Sequence, residues 1–388
     1  MAQHGSLDTE LLVVGAGPYA WSAAACARDH GIRTHVVGLP MSFWREQMPA
    51  DMFLRSGPGW HLDTAGEHTF EAFFEDRGLD PAEHDPVPIG VFLDHTDWFR
   101  ERKGFDVDER LVAHLRRGAD GAGFTATMDD GTAITAEKVL AAPGIRHFAN
   151  LPPWHDAVPE HRRAHTSDLV EFDVLAGARV VVVGGRQSAY EWAALLCDHG
   201  AARVDVVHRH PTPAFERVSW SFVDPYVEQT LAQRGWWRSL SPSAQQSIAR
   251  EFWQVGRLTL EHWLTPRLRP DVVTSHPGCE VAEVSDAGTP GADGATSLTL
   301  SDGTQLEADF VVFASGYRAD ITRVPYLEPL LPDLATTDGF PHLSEGFETS
   351  VPGLYVTGFA STRDFGPFYG FTKGCPSSAT LAVAEMLR

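Results

Sequence analysis

The sequence predicts an α/β fold built from two Rossmann-like units, and three observations carry that prediction. A short apolar run, a glycine-rich turn and an alanine-containing helical stretch follow one another from residue 11, and the same order returns from residue 180. An Asp-Gly pair between alternating apolar residues lies downstream of each turn. Finally, 388 residues with 43% hydrophobic content supply two compact domains, since one core rarely exceeds roughly 250 to 300 residues.

The first unit begins with a predicted strand over Leu11–Val14, which leads through a glycine turn into a helix. Pro18 is typical of a first helical turn, because an N–H would be unpaired there in any residue. Gly31 is typical of the left-handed position that ends a helix. A second strand is expected over Thr34–Val37, so sequence signals bound the helix at both ends.

The second unit repeats this order. Val180–Val183 predicts a strand, a glycine turn and a helix follow, and Arg203–Val207 predicts the next strand. Gly184 and Gly200 are 16 positions apart, as are the corresponding glycines of the first unit.

Each unit also contains a predicted hairpin. Gly131 follows Asp130 and lies 13 positions before Gly144, and Gly303 follows Asp302 and lies 13 positions before Gly316. The equal spacing indicates two copies of one architecture rather than two unrelated motifs.

The first glycine turn has the residues that a dinucleotide-binding turn needs. Such a turn lets backbone amides and the positive end of a helix contact a diphosphate, and a small third residue lets the helix pack on the strand. We therefore predict cofactor contacts at Gly15, Gly17, Pro18, Tyr19 and Ala20. A plain structural turn is the alternative, and the repetition of the motif argues against it.

The second turn departs from this pattern, because Arg186 occupies the place of the second glycine. Its side chain must point away from a phosphate or bind one, as a guanidinium can. We predict cofactor contacts at Gly184, Gly185, Arg186, Gln187 and Ser188.

The strand after the second turn ends in His208 and Arg209, near the position where an acid would bind a free ribose hydroxyl and a basic residue would bind a 2'-phosphate. These two residues therefore favour NADPH over NADH, with a solvated strand end as the alternative. The first unit has no acid at the corresponding place, Gly38, so its nucleotide ribose must be held otherwise.

Composition restricts the partners. The formal net charge of −21 disfavours nucleic acid and anionic membranes, and no apolar run approaches the roughly 18 residues that suggest a membrane span. The first ten residues are too polar for a signal peptide, so we expect a cytoplasmic protein with a small-molecule substrate. The four cysteines form no C-x-x-C pair, and no metal-ligand pattern is present, so neither a redox dithiol nor a metal is predicted.

The stretch 217–268 is a helical, tryptophan-rich insertion in the second unit. It would either cover a pocket or form a helical subdomain whose tryptophans are buried against the module.

At several points the chain resembles the two-module flavin-dependent monooxygenases, which include amine N-hydroxylases, dimethylaniline-type enzymes and Baeyer-Villiger enzymes. The resemblance is carried by the stretches Gly15–Pro18, Gly185–Ala189, Asp309–Tyr317 and Leu354–Gly358, and by Met41–Arg45 with Met52–Ser56, which look like a flavin-wrapping segment. One departure is His165-Thr166-Ser167, which lacks the glycine of the Baeyer-Villiger and dimethylaniline-type fingerprint.

This resemblance implies FAD on the first module and NADPH on the second. It adds cofactor contacts at Trp44, Arg45, Leu54, Tyr317 and Gly358. The aromatic residues Phe365, Phe368, Tyr369 and Phe371, between the last strand and the last helix, are expected on the substrate side of the flavin. The last helix, after Gly374, would either direct its positive end at the flavin or be a plain terminal helix.

The implied activity is NADPH- and O2-dependent monooxygenation of a small molecule through a flavin hydroperoxide, with N-hydroxylation or heteroaromatic hydroxylation favoured. No catalytic side chain is predicted, because the cofactor performs the chemistry. An NADPH-dependent flavoprotein reductase of another acceptor and a non-catalytic cofactor-binding protein stay open. We expect residues 1–149 and 309–388 to form the FAD-binding domain and residues 150–308 the NADPH-binding domain.

Overall fold

The computed structural model describes residues 8–57, 59–118, 121–286 and 294–388. Its strands, in chain order, are β1 (Thr9–Val14), β2 (Thr34–Val37), β3 (Val112–Arg117), β4 (Phe124–Met128), β5 (Ala133–Ala141), β6 (Arg163–His165), β7 (Arg179–Val183), β8 (Arg203–His208), β9 (Ala214–Phe215), β10 (Thr259–Leu260), β11 (Val273–Pro277), β12 (Val281–Asp286), β13 (Thr296–Leu300), β14 (Gln305–Ala308), β15 (Phe310–Phe313), β16 (Thr336–Thr337), β17 (Phe340–Pro341) and β18 (Leu354–Val356).

The α-helices are α1 (Pro18–Asp29), α2 (Ser42–Glu46), α3 (Phe70–Arg77), α4 (Ile89–Lys103), α5 (Gln187–Asp198), α6 (Asp224–Ala232), α7 (Trp236–Ser239), α8 (Pro242–Glu251), α9 (Thr362–Phe365) and α10 (Cys375–Met386). A π-helical turn, Phe252–Arg257, directly extends α8. No helix of the described ranges is both long and apolar enough to cross a membrane.

The first sheet has the strand order β2-β1-β5-β4-β3, and β18 also pairs with β5. Strands β2, β1, β5 and β18 run parallel, whereas β3, β4 and β5 form an antiparallel meander. The β4–β5 connection contains Gly131 in a left-handed conformation, which confirms the first predicted hairpin. The long β5 pairs with β4 at its start and with β18 at its end, so one strand serves both parts of the sheet.

The second sheet is parallel throughout, in the order β11-β8-β7-β15-β6, and β12, β13 and β14 form an antiparallel sheet beside it. The β13–β14 connection contains Gly303 with positive φ, which confirms the second predicted hairpin. Strand β15 pairs with β7 and β6, although we placed the start of the C-terminal part of the first domain at residue 309. Residues 310–313 therefore lie in the second sheet, as the repeat that ends at Gly316 in the second unit indicates.

The insertion packs mainly on the first module, although its ends emerge from the second. Trp220, Trp237 and Phe252 belong to the same buried cluster as the residues of β1 and α1. Burial of such large rings is a main source of stability, since each buries roughly 150–250 Å². The insertion therefore spans the two modules and is not a separate subdomain of the second.

Polar contacts strengthen that attachment. Asp224 pairs with Lys373 at 2.7 Å, and the indole N–H of Trp237 donates to the carbonyl oxygen of Arg363 at 3.0 Å. Further ties are the ion pairs Arg217–Asp85, Arg234–Glu385 and Arg55–Glu261.

Candidate functional site

The first glycine turn lies at the carboxyl end of β1, between that strand and α1. Gly15 has φ +114°, and a Cβ on it would lie 2.5 Å from the carbonyl oxygen of Ala142, so only glycine fits. Its N–H donates to the Val37 carbonyl at 2.9 Å. Gly17 has φ −91°, and a Cβ there would meet no protein atom within 4 Å. The glycine at position 17 therefore keeps space open, whereas that at position 15 lets two strands approach.

That space is a cavity of about 620 Å³ at the carboxyl ends of β1, β2 and β5. The predicted residues that line it are Gly15, Gly17, Pro18, Tyr19, Ala20, Trp44 and Gly358. Its walls also include Met41, Ser42, Phe43, Met48, Ser56, Ile145, Arg146, His147, Tyr326, Phe359, Gly370, Phe371 and Thr372.

Five members of this second group come from segments that the sequence analysis named, the flavin-wrapping stretches (Met41, Ser42, Phe43 and Ser56) and the aromatic loop (Phe371). Sequence reasoning missed the others, although a signal existed for part of them. Ile145, Arg146 and His147 directly follow β5, and residues after a parallel strand meet at the carboxyl edge where ligands bind. Tyr326 comes from a distant 3-10 helix, Pro325–Asp333, and its place in the wall depends on tertiary packing that the sequence does not encode locally.

Other predicted residues lie outside the cavity wall. The Arg45 guanidinium pairs with Asp97 at 2.7 Å, and Leu54 is buried. Phe368 and Tyr369 are buried in the core. Tyr317 packs edge-on against His165, with ring centroids 5.0 Å apart, and burial raises its pKa to about 12. Contact of these residues with a cofactor stays a prediction.

Tyr19 connects α1 to the aromatic loop before α10. Its hydroxyl lies 2.8 Å from the Phe371 carbonyl oxygen and also contacts that of Tyr369. Burial raises the pKa of Tyr19, so the hydroxyl keeps its proton and acts as a donor. Tyr19 thus fixes the loop whose Phe371 side chain forms part of the cavity wall.

The second turn has the same backbone geometry at its first glycine. Gly184 has φ +147°, and a Cβ on it would lie 2.3 Å from the Ala314 carbonyl oxygen. Its N–H donates to the Val207 carbonyl at 2.9 Å. Both glycine turns thus lie at the carboxyl edge of a parallel sheet, as a diphosphate-binding turn requires.

At the next position the two modules distribute small and large residues differently between the turn and the strand end that faces it. A Cβ on Gly185 would lie 2.3 Å from the His208 ring, whereas the first module has Ala16 there and Gly38 facing it. His208 is 4% exposed; its Nδ1 donates to the His210 carbonyl at 2.8 Å, and its Nε2 lies 2.9 Å from the Tyr190 hydroxyl. Burial lowers the pKa of His208, so this histidine packs as a neutral side chain behind the turn.

Arg186 adopts φ −108°, close to the value at Gly17, which explains why a non-glycine residue is tolerated there. Its side chain does not cross the turn: the guanidinium carbon lies 4.2 Å from the centroid of the Trp253 ring, in the insertion. Ser188 is exposed beside it, at the start of α5.

The other predicted nucleotide-contacting residues differ in accessibility. The Arg209 side chain is 80% exposed, and its Nε lies 3.5 Å from Glu280. Asp205, the acid nearest to it in sequence, is buried and pairs with Arg203 and His276. The accessible charges at the end of β8 are therefore the Arg209 guanidinium and its exposed partner Glu280.

Gln187 belongs to a buried polar network that sequence reasoning missed. Its amide donates to Glu191 at 2.8 Å, and its carbonyl oxygen accepts from the Glu261 backbone at 3.0 Å. Burial raises the pKa of Glu191 to about 7. Arg55 donates to the Glu261 carboxylate at 2.9 Å, so this network joins α5, the insertion and the first module.

One group of possible metal ligands occurs among the described residues, Asp63 with Glu67 and His68. Lys103 pairs with Asp63 at 2.9 Å, and His68 Nδ1 lies 2.9 Å from the same carboxylate. The carboxylate is therefore engaged within the protein, and we assign the group a structural role.

The four cysteines, Cys26, Cys197, Cys279 and Cys375, are buried free thiols. Burial strongly raises the pKa of Cys375, at the start of α10. A thiol that stays protonated is a poor nucleophile, so we do not expect Cys375 to react.

Residues 9–252 match the family model described as pyridine nucleotide-disulphide oxidoreductase, more than half of the chain. An FAD-dependent urate hydroxylase of Xanthomonas campestris pv. campestris is 30% identical over 149 residues, 36% of this chain and 31% of that protein. A ferredoxin--NADP reductase of Rhodospirillum rubrum is 26% identical over 215 residues, 54% of this chain and 56% of that protein. The chain thus matches about a third of the length of the urate hydroxylase and about half of the length of the ferredoxin--NADP reductase.

The ornithine N-hydroxylase of Kutzneria sp. 744 superposes with a TM-score of 0.80 at 16% identity, over 98% of this chain and 99% of that one. Likeness at this identity concerns the fold alone. It confirms the predicted α/β architecture of two Rossmann-like domains.

Proposed function

The chain belongs to the pyridine nucleotide-disulphide oxidoreductase family, and from this premise we propose that it is an FAD-dependent, NADPH-consuming monooxygenase of a small molecule. The observation that carries the proposal is the pair of glycine turns at the carboxyl edges of two parallel sheets, one of which opens into a cavity of about 620 Å³. The four cysteines are buried single thiols, which disfavours dithiol chemistry.

The first cavity fits a flavin dinucleotide. Gly17 and the N-terminus of α1 would hold its diphosphate, because the glycine leaves the space that a Cβ would fill. Arg146 is an exposed cation in the same wall and would add a charge partner. When bound, the flavin would supply hydride acceptance and oxygen activation.

The surrounding residues would keep this site dry. Trp44, Phe359 and Phe371 line the cavity, and apolar walls exclude the water that would divert an activated oxygen into peroxide. Helix α10 begins three residues after Thr372, which lines the cavity, so its positive end would support negative charge on a bound flavin.

The second turn supports binding of the pyridine nucleotide. The N-terminus of α5 would hold the nucleotide diphosphate, and the exposed Arg209 would bind the 2'-phosphate of NADPH. Because Asp205 is buried and paired, this acid of the strand is not free to bind the ribose hydroxyl of NADH.

We propose N-hydroxylation or heteroaromatic hydroxylation as the reaction. The name of the urate hydroxylase relative supports a heteroaromatic substrate, and the fold shared with an ornithine N-hydroxylase supports an amine.

The decisive experiment measures NADPH oxidation and oxygen uptake by purified protein with urate, ornithine, lysine, simple amines and cyclic ketones. We expect a yellow protein with extractable FAD, substrate-stimulated oxygen uptake and a hydroxylated product. Arg209→Gln should weaken NADPH binding by about tenfold, with NADH as the unaffected control ligand. A protein that cannot be reconstituted with FAD would contradict the proposal.

A second candidate is an NADPH-dependent flavoprotein reductase, favoured by the ferredoxin--NADP reductase similarity over about half of the chain. Anaerobic assays separate the two. A reductase would transfer electrons from NADPH to ferredoxin in the absence of oxygen, whereas a monooxygenase would need oxygen and form a hydroxylated product.

A further inference from the structure

Two arginines near the interface between the modules lack a counter-charge. The guanidinium carbons of Arg186 and Arg257 lie 4.2 and 5.5 Å from the centroid of the same ring, Trp253. Within the described ranges, neither side chain makes an ion pair or hydrogen bond. In a chain with a net charge of −21, two such cations on one ring indicate a site for an anion.

A third arginine nearby has its charge neutralised and serves as an internal comparison. Arg55 pairs with Glu261 at 2.9 Å and donates to the carbonyl oxygens of Gly256 and Thr259 at 2.7 and 3.1 Å. Burial, with the positive charges of Arg186 and Arg55, lowers the pKa of Arg257 to about 9. Arg257 is therefore still a cation at neutral pH, but an uncompensated one, and a bound anion would stabilise it.

The backbone around Arg257 is fixed. Arg257 ends the π-helical turn that extends α8, where the Leu258 N–H bonds to the Trp253 carbonyl at 2.8 Å. Such turns are frequently found at functional sites. Arg55 bonds to the Gly256 carbonyl, and Gly256 packs so closely on Trp220 that a Cβ would lie 2.6 Å from its ring. The Arg257 side chain is thus presented from a preorganised turn.

Aromatic rings connect Arg257 to the cavity of the first module. Its guanidinium carbon lies 5.1 Å from the centroid of Phe371, which lines that cavity. The ring centroids of Trp220 and Phe371 lie 5.8 Å apart, and the buried indole N–H of Trp220 has no hydrogen-bond partner in the described part of the chain. The cluster therefore contains a cation, an unpaired donor and flat apolar surfaces close to the proposed flavin site.

We propose that Arg257 anchors a subsite for a small planar anion, an aromatic or heteroaromatic carboxylate or a deprotonated heteroaromatic ring. The proposal rests on the proposed function, since it makes this anion the monooxygenase substrate. A guanidinium is itself planar and binds a carboxylate through two parallel hydrogen bonds, and the rings of Trp253 and Phe371 would stack on a flat molecule. A nucleotide phosphate would be held by the N-terminus of α5 and the exposed Arg209.

The test compares matched ligands of equal shape and different charge. The FAD-reconstituted protein is titrated with salicylate and salicylamide, and with benzoate and benzamide, and binding is followed by the flavin absorbance difference and tryptophan fluorescence. We expect the anions to bind about tenfold to a hundredfold more tightly than the amides, the range that a charge-assisted hydrogen bond supplies.

Variants then assign the preference to one residue. Arg257→Gln should reduce the difference between anion and amide to about twofold, and Arg257→Lys should retain part of it. Arg250→Gln removes an exposed arginine of α8 and should keep the wild-type preference. FAD content and near-UV circular dichroism report whether each variant folds. If Arg257→Gln fails to fold, the comparison of anion and amide binding by the wild type still tests the proposal.

Three results would overturn the inference. The wild type could bind anions no better than amides, or bind neither. Arg257→Gln could keep the anion preference and leave NADPH binding unchanged. Alternatively, Arg257→Gln could keep the anion preference but weaken NADPH binding, which would assign the guanidinium to a nucleotide phosphate. Failure of the proposed function would be visible separately, as wild-type protein that binds no FAD or whose flavin NADPH does not reduce.

Discussion

Gly15 and Gly17 are two positions apart, yet an added methyl group would have opposite consequences at the two sites. At Gly15, with φ +114°, the Cβ would lie 2.5 Å from the Ala142 carbonyl oxygen. Gly15→Ala should therefore lower the free energy of unfolding by about 1–3 kcal/mol. Gly17→Ala should leave the stability of the FAD-free protein unchanged and raise the Kd for FAD, because its methyl group enters the cavity.

Urea denaturation of the FAD-free protein and fluorescence titration with FAD separate these effects. Equal loss of stability in both variants would contradict the assignment of Gly17 to the ligand side of the turn.

The exchange between Gly185 and His208 gives a second prediction. Gly185→Ala should lower the free energy of unfolding by about 1–3 kcal/mol, because the new Cβ would lie 2.3 Å from the His208 ring. His208→Ala would not relieve this clash, since the His208 Cβ itself would be 2.4 Å away. Only His208→Gly, which reproduces the Ala16 and Gly38 pair of the first module, should restore stability in the double variant.

A double-mutant cycle measured by thermal unfolding checks this, with His208→Gly alone as the control. Additive losses would show that the two positions do not share space.

The residues of the glycine turns could be predicted from the sequence because their function follows from backbone geometry. Gly15, Gly17 and Gly184 have the conformations and the surroundings that the motif requires. Arg257 could not be found this way: its significance depends on the rings of Trp253 and Phe371, which are brought together only by tertiary packing.

Among the elements, those bounded by local signals were predicted well. Helix α1 begins at Pro18, and the β4–β5 and β13–β14 hairpins turn at Asp-Gly pairs. The repeat indicated that β15 belongs to the second unit, but its position between β7 and β6 could not be predicted, because the order of strands in a sheet depends on contacts between distant segments. The insertion was recognised as helical, but its packing on the first module was not, since a run of tryptophans does not indicate which surface covers it.

Helices α3 and α4 enclose a histidine that should make stability depend on pH. His95 of α4 is 0% exposed and stacks on Phe70 of α3, with ring centroids 3.9 Å apart. Burial lowers its pKa from 6.5 to about 4, so the folded protein resists protonation while the unfolded chain accepts a proton near pH 6.5. This contribution is constant above pH 6.5, and stability should fall by about 3 kcal/mol between pH 6.5 and 4.

His95→Phe keeps the ring stack and cannot titrate, so it should flatten this part of the profile of unfolding free energy against pH. Some slope will remain, because burial also lowers the pKa values of His61, His165 and His208. His161→Gln, at an exposed position, is the control and should keep the wild-type slope. An unchanged slope in His95→Phe would contradict the prediction.

Across the whole molecule, the buried pair of Arg55 and Glu261 joins the Met52–Ser56 segment of the first module to the insertion. The Glu261 side chain is 3% exposed, so Arg55→Met would leave its carboxylate buried without its partner. We expect a loss of about 3–5 kcal/mol in the free energy of unfolding. Arg45→Met breaks an exposed pair on the same segment and should cost less than about 1 kcal/mol.

Urea denaturation of the wild type, Arg55→Met and Arg45→Met measures the difference in the free energy of unfolding. Equal effects of the two substitutions would show that the Arg55 pair does not stabilise the junction.

These ties also bear on how the nucleotides exchange. The insertion leaves and re-enters the second module but is fastened to the first by Arg55–Glu261 and Asp224–Lys373, among other contacts. A hinge rotation of one module against the other would have to break the buried Arg55–Glu261 pair and separate packed rings at once. If the chain binds the proposed NADPH, we therefore expect NADP+ to leave without such a rotation, so that solvent viscosity changes its release rate only through the diffusion of the nucleotide itself.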